Sequence, residues 1–259
     1  CQAELDLVHK RLQELEGLGE KLKLSRAQFL HRAYRGGLPG IAFVRSDEAR
    51  QALLDDWTAL VCSRDLLLFK TLKLDSDLAQ SLIRLSCTLE EPTVAAFTRA
   101  TRAPSRTVAK HCEILTQLFV LNRVNPFEPG RGKPIYLVLD SGIAAHYGAN
   151  LRRVLQIFLL NERLCKASYS TLGRTTFHYF RSRTKNSIDL VERPHQEKPR
   201  AFQIIETERF SGVDFELMKS FKKSEPLAEC VIYAPIQEEQ KIAAGIRILP
   251  WEAMGVPYS

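Results

Sequence analysis

The spacing of apolar positions changes character twice along the chain. Over residues 2–16, Leu5, Val8, Leu12 and Leu15 fall on one helical stripe, which Gly17 and Gly19 close. A second helix is predicted from Ser25 to the Gly36-Gly37 pair, and Pro39 forbids its continuation. A third is predicted from Ser46-Asp47-Glu48, where a hydroxyl cap precedes acids suited to the helix dipole. It carries Leu53, Leu54, Trp57, Leu60 and Val61. The first 75 residues are therefore expected to be helical and to hold nothing catalytic.

The pattern then shortens. Apolar periodicity predicts helices over 78–89, 92–101 and 105–119, the last two joined by the tight turn Arg102-Ala103-Pro104. They are followed by the run VLNRVNPF, a glycine-containing basic loop EPGRGKP and the strand IYLVLD. Three helices and a β-hairpin with a basic tip predict a winged helix-turn-helix over 76–140. In that arrangement Val108, Cys112 and Leu115 face inward, while Arg106, Thr107 and Lys110 look outward from the first turns of the recognition helix.

From residue 141 the pattern becomes mixed. An apolar helix over 152–166 leads to strand-like runs RTTFHYFRSR, SIDLVER and AFQIIETE, then a helix at DFELMKSF, a strand ECVIYAP and the closing IRILPWEAM. The run RTTFHYFRSR is expected to alternate Phe177 and Tyr179 with outward-facing residues. Helix, strand hairpin, then strand, helix and strand suit an α/β domain of the restriction-endonuclease-like kind. The expected fold class is thus α plus α/β, with a helical segment 1–75, a winged helix 76–140 and a nuclease-like domain 141–259.

Charge sharpens this picture. The net charge of +7 favours a polyanionic partner. Between Arg99 and Lys133 seven basic residues face two acidic ones, a local excess of +5 that includes Arg102, Arg106, Lys110, Arg131 and Lys133. Such a concentration is what phosphate contact needs, because each neutralised phosphate releases counterions. Arg102, Arg106, Thr107, Lys110, Arg131 and Lys133 are the candidate DNA-binding residues, and DNA is the expected partner. The alternative is a protein partner or self-assembly through Trp57, Phe69 and the first helix.

Other classes of chemistry are absent from the sequence. Its six cysteines stand singly, without C-x-x-C pairs or zinc spacing, which points to a reducing, cytoplasmic location. No run approaches the roughly 20 apolar residues of a membrane span. No G-x-x-x-x-G-K-[ST] motif offers an ATP site. The chain opens on Cys1 instead of Met, so further sequence is expected upstream.

Four stretches, YRGGLPGIAF, LLDDWTALVCSRDLLLF, PSRTVAKHCEILTQLFVLNRVNPF and KPIYLVLDSGIAAHYG, resemble in order and spacing the domain that follows the ATPase core in a group of prokaryotic AAA-type ATPases. The resemblance covers roughly residues 25–250. It implies an upstream P-loop ATPase, where any ATP would bind, a winged helix, and a C-terminal domain similar to PD-(D/E)XK nucleases.

In that nuclease pattern a helix glutamate, a strand aspartate and a following Glu-x-Lys hold Mg²⁺ and orient the attacking water. The resemblance matches the strand aspartate to Asp189 in NSIDLV and the next acid to Glu206 in IIETE. The lysine position is Glu208 and the helix position is Gln156. A carboxylate in place of the lysine repels the phosphodiester and removes the water-orienting cation. Asp189, Glu206 and Glu208 are therefore expected to be the remnant of a site, with Asp189 and Glu206 as the metal candidates. No cofactor is expected in this chain, Mg²⁺ being called for only if the site is active. A divergent metal-dependent nuclease remains the enzymatic alternative.

Overall fold

A computed structural model describes residues 24–69, 74–128, 132–169, 174–181, 187–195, 197–208, 212–242 and 245–255. The stripe at 2–16 lies outside the described residues.

Helix α1 spans Arg26–Arg35 and opens on a capping box: the Ser25 hydroxyl accepts from the Gln28 N–H, and Gln28 Oε1 accepts from the Ser25 N–H. Gly36, at φ 72°, ends it. Helix α2 spans Asp47–Ser63 under Ser46 as cap, and a short 3₁₀ turn follows at Asp65–Phe69. Next come α3, Ser76–Thr88, capped by Asp75, α4, Val94–Thr101, capped by Thr93, and α5, Ser105–Gln117. Strands β1, Leu121–Pro126, and β2, Ile135–Val138, form an antiparallel hairpin. Thr93 adds an isolated bridge to Ile135, and Tyr136 donates its N–H to the Pro92 carbonyl. The hairpin is thus stitched to the start of α4.

The remainder runs α6, Ser141–His146, then α7, Leu151–Tyr169, then β3, Thr175–Arg181, β4, Ser187–Pro194, and β5, Arg200–Ile204. It closes with α8, Gly212–Ser224, β6, Glu229–Ala234, β7, Gln240–Ile242, β8, Ile246–Pro250, and a 3₁₀ turn at Trp251–Gly255. The protein is a mixed α/β structure. All eight described strands join in one mixed sheet, in the order β2-β1-β3-β4-β5-β6-β8-β7. The β1/β3, β5/β6 and β6/β8 pairs are parallel and the others antiparallel.

Two apolar cores flank the sheet. One gathers α1 to α7 with Tyr179, Leu190, Phe202, Val231 and Tyr233. The other packs Met218 and Phe221 of α8 against Phe180, Val191, Ala201, Ile232 and Ile246. Neighbouring residues on one strand, such as Val231 and Ile232, thus enter opposite cores, the alternation that a doubly covered sheet requires.

Two expectations need correction. Strand β3 does not alternate buried with outward positions: Phe180 as well as Tyr179 is buried, because α8 covers the face that was expected to be open. The run AFQIIETE pairs as a strand only as far as Ile204, so Glu206 and Glu208 lie beyond it. There the chain is held differently, with the Ile205 N–H on the Tyr233 carbonyl and the Trp251 Nε1–H on the Ile205 carbonyl. The short α6, which the sequence pattern did not predict, follows the strand IYLVLD, where six residues give too little periodicity to read.

The positions expected as domain limits, near 75 and 140, are bridged. The first core runs from Phe29 to Met254. The hairpin pairs in parallel with β3 through Asn125–His178 and Pro126–Tyr179. Residues on either side of its loop are tied down as well: the Phe127 N–H donates to the Tyr179 carbonyl, and the Tyr179 hydroxyl donates to the Lys133 carbonyl at 2.9 Å.

Candidate functional site

The structure brings three of the four sequence-predicted acid-site positions together and places an arginine among them. Asp189 on β4 is 5% exposed. Its Oδ1 accepts from Arg152 Nε at 3.0 Å, and its Oδ2 accepts from Arg152 Nη2 at 3.2 Å and from the Ile204 N–H at 2.7 Å. Glu206, exposed, accepts the backbone N–H of Arg152 at 3.1 Å, in the first turn of α7. A carboxylate there suits the positive end of the helix dipole.

Gln156 lies one turn further along α7 and is buried. Its Nε2 donates to the Asp189 carbonyl at 3.0 Å, and its Oε1 accepts from Arg153 Nη1 at 2.8 Å. An amide can do both. A glutamate at this position would set a carboxylate against the Asp189 carbonyl, oxygen to oxygen. Arg153 continues the network by donating to the Leu89 and Glu90 carbonyls beyond α3, and burial pushes its pKa below the usual guanidinium range.

Glu208 stands apart. Its carboxylate, 78% exposed, meets Arg26 at 3.7 Å, and Arg26 also holds Glu252 and the Ile236 carbonyl. The strand aspartate therefore faces an arginine, and the expected third acid turns to a different cation. The attraction of Asp189 raises the pKa of Arg152, with Glu206 adding to it. Among the described residues no three His, Cys, Asp or Glu side chains stand where they could hold a metal. The carboxylate oxygens of Asp189 are engaged by the guanidinium and a backbone amide, which does not fit a divalent cation at the same oxygens.

Sequence reasoning missed Arg152. The available signal was its place in Arg152-Arg153 at the opening of an apolar helix, where cations oppose the dipole and so need acids from elsewhere.

The basic face is built by α4, α5 and the hairpin. Val108, Cys112 and Leu115 are fully buried, and the opposite side of α5 carries the cations. Arg102 and Arg106 are exposed, Thr107 and Lys110 half-buried, and Lys133 exposed, while Arg131 lies outside the described residues. Among the described residues none of Arg102, Arg106, Lys110 and Lys133 has an ion-pair partner. Helix α5 also opens on Pro104, with no side-chain cap and no acid in its first turn. His111 fixes the helix from behind: its Nδ1–H donates to the Thr107 carbonyl, and its Nε2 accepts the Asp75 N–H.

A third feature is apolar. Leu53 and Leu60 on α2 and Leu67 and Leu68 on the following turn are exposed, while Trp57 and Phe69, expected at an interface, are half-buried against the core. Among the described residues no helix is long and apolar enough to cross a membrane.

Over residues 26–154 the chain is similar to a family described as a domain of unknown function (DUF8612). No curated protein and no solved structure matches it. The matched span contains the described part of the basic face and Arg152, and it ends before Asp189 and Glu206.

Proposed function

We propose that this chain is a DNA-binding region, of the kind that accompanies an AAA-type ATPase, in which α3 to α5 and the hairpin act as a winged helix and the remaining α/β part is a nuclease-like scaffold without hydrolytic activity. The observation that carries the reading is the set of cations at Arg102, Arg106, Lys110 and Lys133, exposed or half-buried and without acidic partners among the described residues. Cations that no acid engages in an ion pair remain available to an external polyanion. The bridge from Thr93 to Ile135 supports the winged-helix part, because it adds a third short strand to the hairpin. The Lys133 carbonyl is held by the Tyr179 hydroxyl, so α5 makes the main contact and Lys133 flanks it. Arg152 supports the non-hydrolytic part, since it neutralises the aspartate that Mg²⁺ would need.

The test is fluorescence anisotropy of a labelled duplex titrated with the chain over a salt series. The expected log–log slope is about 3 to 4, at roughly 0.9 per neutralised phosphate. The Arg106→Ala, Lys110→Ala variant is expected to lower the slope by about 2. Absence of binding at low salt would remove DNA as the partner. In that event the exposed Leu53, Leu60, Leu67 and Leu68 favour a second reading, a protein-interaction module.

A further inference from the structure

Two non-glycine residues among those described have positive φ, Arg102 and Phe119, both at 57°. Each follows a helix: Arg102 ends α4, with its N–H on the Thr98 carbonyl, and Phe119 follows α5, with its N–H on the Thr116 carbonyl. Left-handed backbone at a helix end is the place where glycine or asparagine is ordinarily found, because a Cβ there crowds the neighbouring carbonyl. The chain uses glycine at its other described positive-φ positions, Gly36, Gly40, Gly132, Gly148 and Gly245. An arginine at 102 therefore carries a backbone strain that glycine would relieve.

Nothing among the described residues accounts for that side chain. Arg102 is exposed, and among the described residues it has no ion pair, no side-chain hydrogen bond and no ring contact. It sits in the turn between α4 and α5, four residues before Arg106.

We propose that the left-handed turn at Arg102 presents its guanidinium to a phosphate of the nucleic-acid backbone, making Arg102 a binding residue kept at the expense of stability. This rests on the DNA-binding reading above. Strained residues cluster at ligand-contacting sites, and of the two here Arg102 is the one that offers an exposed charge to a ligand. A guanidinium is suited to the task because its fork can engage two phosphate oxygens at once.

The experiment compares Arg102→Gly, Arg102→Lys and Phe119→Gly in the full chain, by thermal melting and by anisotropy of a labelled duplex over a salt series. Phe119→Gly calibrates relief of the same φ and is expected to raise Tm by about 2–4 °C with the salt slope unchanged. Arg102→Gly is expected to raise Tm by a similar amount and to lower the slope by about 0.9. Arg102→Lys is expected to keep both Tm and slope. If Arg102→Gly leaves the slope unchanged while Arg106→Ala, Lys110→Ala lowers it, the proposal falls and the DNA-binding reading stands. If none of these variants moves the slope, or the wild type does not bind, the DNA-binding reading falls with it. A Tm that does not rise in Arg102→Gly overturns the trade against stability.

Discussion

Arg152 grips Asp189 with two nitrogens, Nε at 3.0 Å and Nη2 at 3.2 Å, from the first turn of α7 across to β4. The contact turns a buried carboxylate into a fastening between helix and sheet. Arg152→Ala would leave Asp189 with the Ile204 N–H as its described side-chain partner. Removing one member of a fully buried pair costs about 3–5 kcal/mol. Because Arg152 is 39% exposed, water can replace part of its role, and the expected loss is about 2 kcal/mol. In urea denaturation the double variant Arg152→Ala, Asp189→Asn is expected to lose less than the sum of the two single variants. Strict additivity would show that the two side chains are not coupled.

The glycine turn after α1 packs on the start of α6 with no room to spare. A Cβ on Gly142 would lie 2.3 Å from the Arg35 carbonyl oxygen, and one on Gly36 would lie 2.1 Å from Asp140 Oδ1. Gly142→Ala therefore strikes backbone, which cannot rotate away, and is expected to cost more than about 2 kcal/mol. Gly40 has φ +78° but nothing within 4 Å of its would-be Cβ, so Gly40→Ala is expected to cost only about 1 kcal/mol of left-handed strain. Thermal melts of the two variants check the order. A Gly142→Ala variant as stable as Gly40→Ala would contradict this packing.

Much of this architecture was legible because its signals are local. The helix start at Ser25, the cap at Ser46, the Gly36-Gly37 stop and the inward face Val108, Cys112, Leu115 each follow from a few neighbouring residues, and each appears where the spacing put it. Of the positions that the nuclease resemblance singled out, Gln156, Asp189 and Glu206 lie together around Arg152 and Arg153. What could not be read was non-local. Arg152 and Asp189 are 37 residues apart, and no periodicity links a helix opening to a strand interior. The covering of β3 by α8 depends in the same way on where a later helix lands. The pairing of Gly37 with Asp140, across 103 residues, joins two stretches that the sequence offered only as separate motifs.

Thiol chemistry gives an independent check on the cores. Burial pushes the thiols of Cys62 and Cys230 up to about 11 and those of Cys87 and Cys112 up to about 12, whereas Cys165 on α7 is exposed. Thiolate is the reactive form, so these four are protected both by access and by protonation. With Cys1 replaced by serine, the folded protein is expected to react rapidly with a thiol reagent at Cys165 alone. All five remaining cysteines should react in denaturant. Rapid labelling of Cys87 or Cys112 in the folded protein would contradict the packing of α3 and α5.

Asp140 closes the glycine turn, accepting the Gly37 N–H at 2.7 Å, the Gly142 N–H at 2.8 Å and the Ile143 N–H at 3.2 Å. Burial nevertheless wins over these three donors and raises the carboxyl above its ordinary pKa. The folded state then holds this proton to higher pH than the unfolded chain does. The contribution of Asp140 is therefore fully present below the unfolded pKa, and it falls as pH rises through the folded value. Asp140→Asn removes the titration and loses an acceptor, leaving an amide N–H₂ against one of the three donors. The wild type is expected to be the more stable of the two by an amount that shrinks between about pH 3 and pH 7, as measured by urea unfolding at each pH. A gap that widens over that range would mean that the three N–H bonds outweigh desolvation, placing the folded pKa below the ordinary carboxylate value.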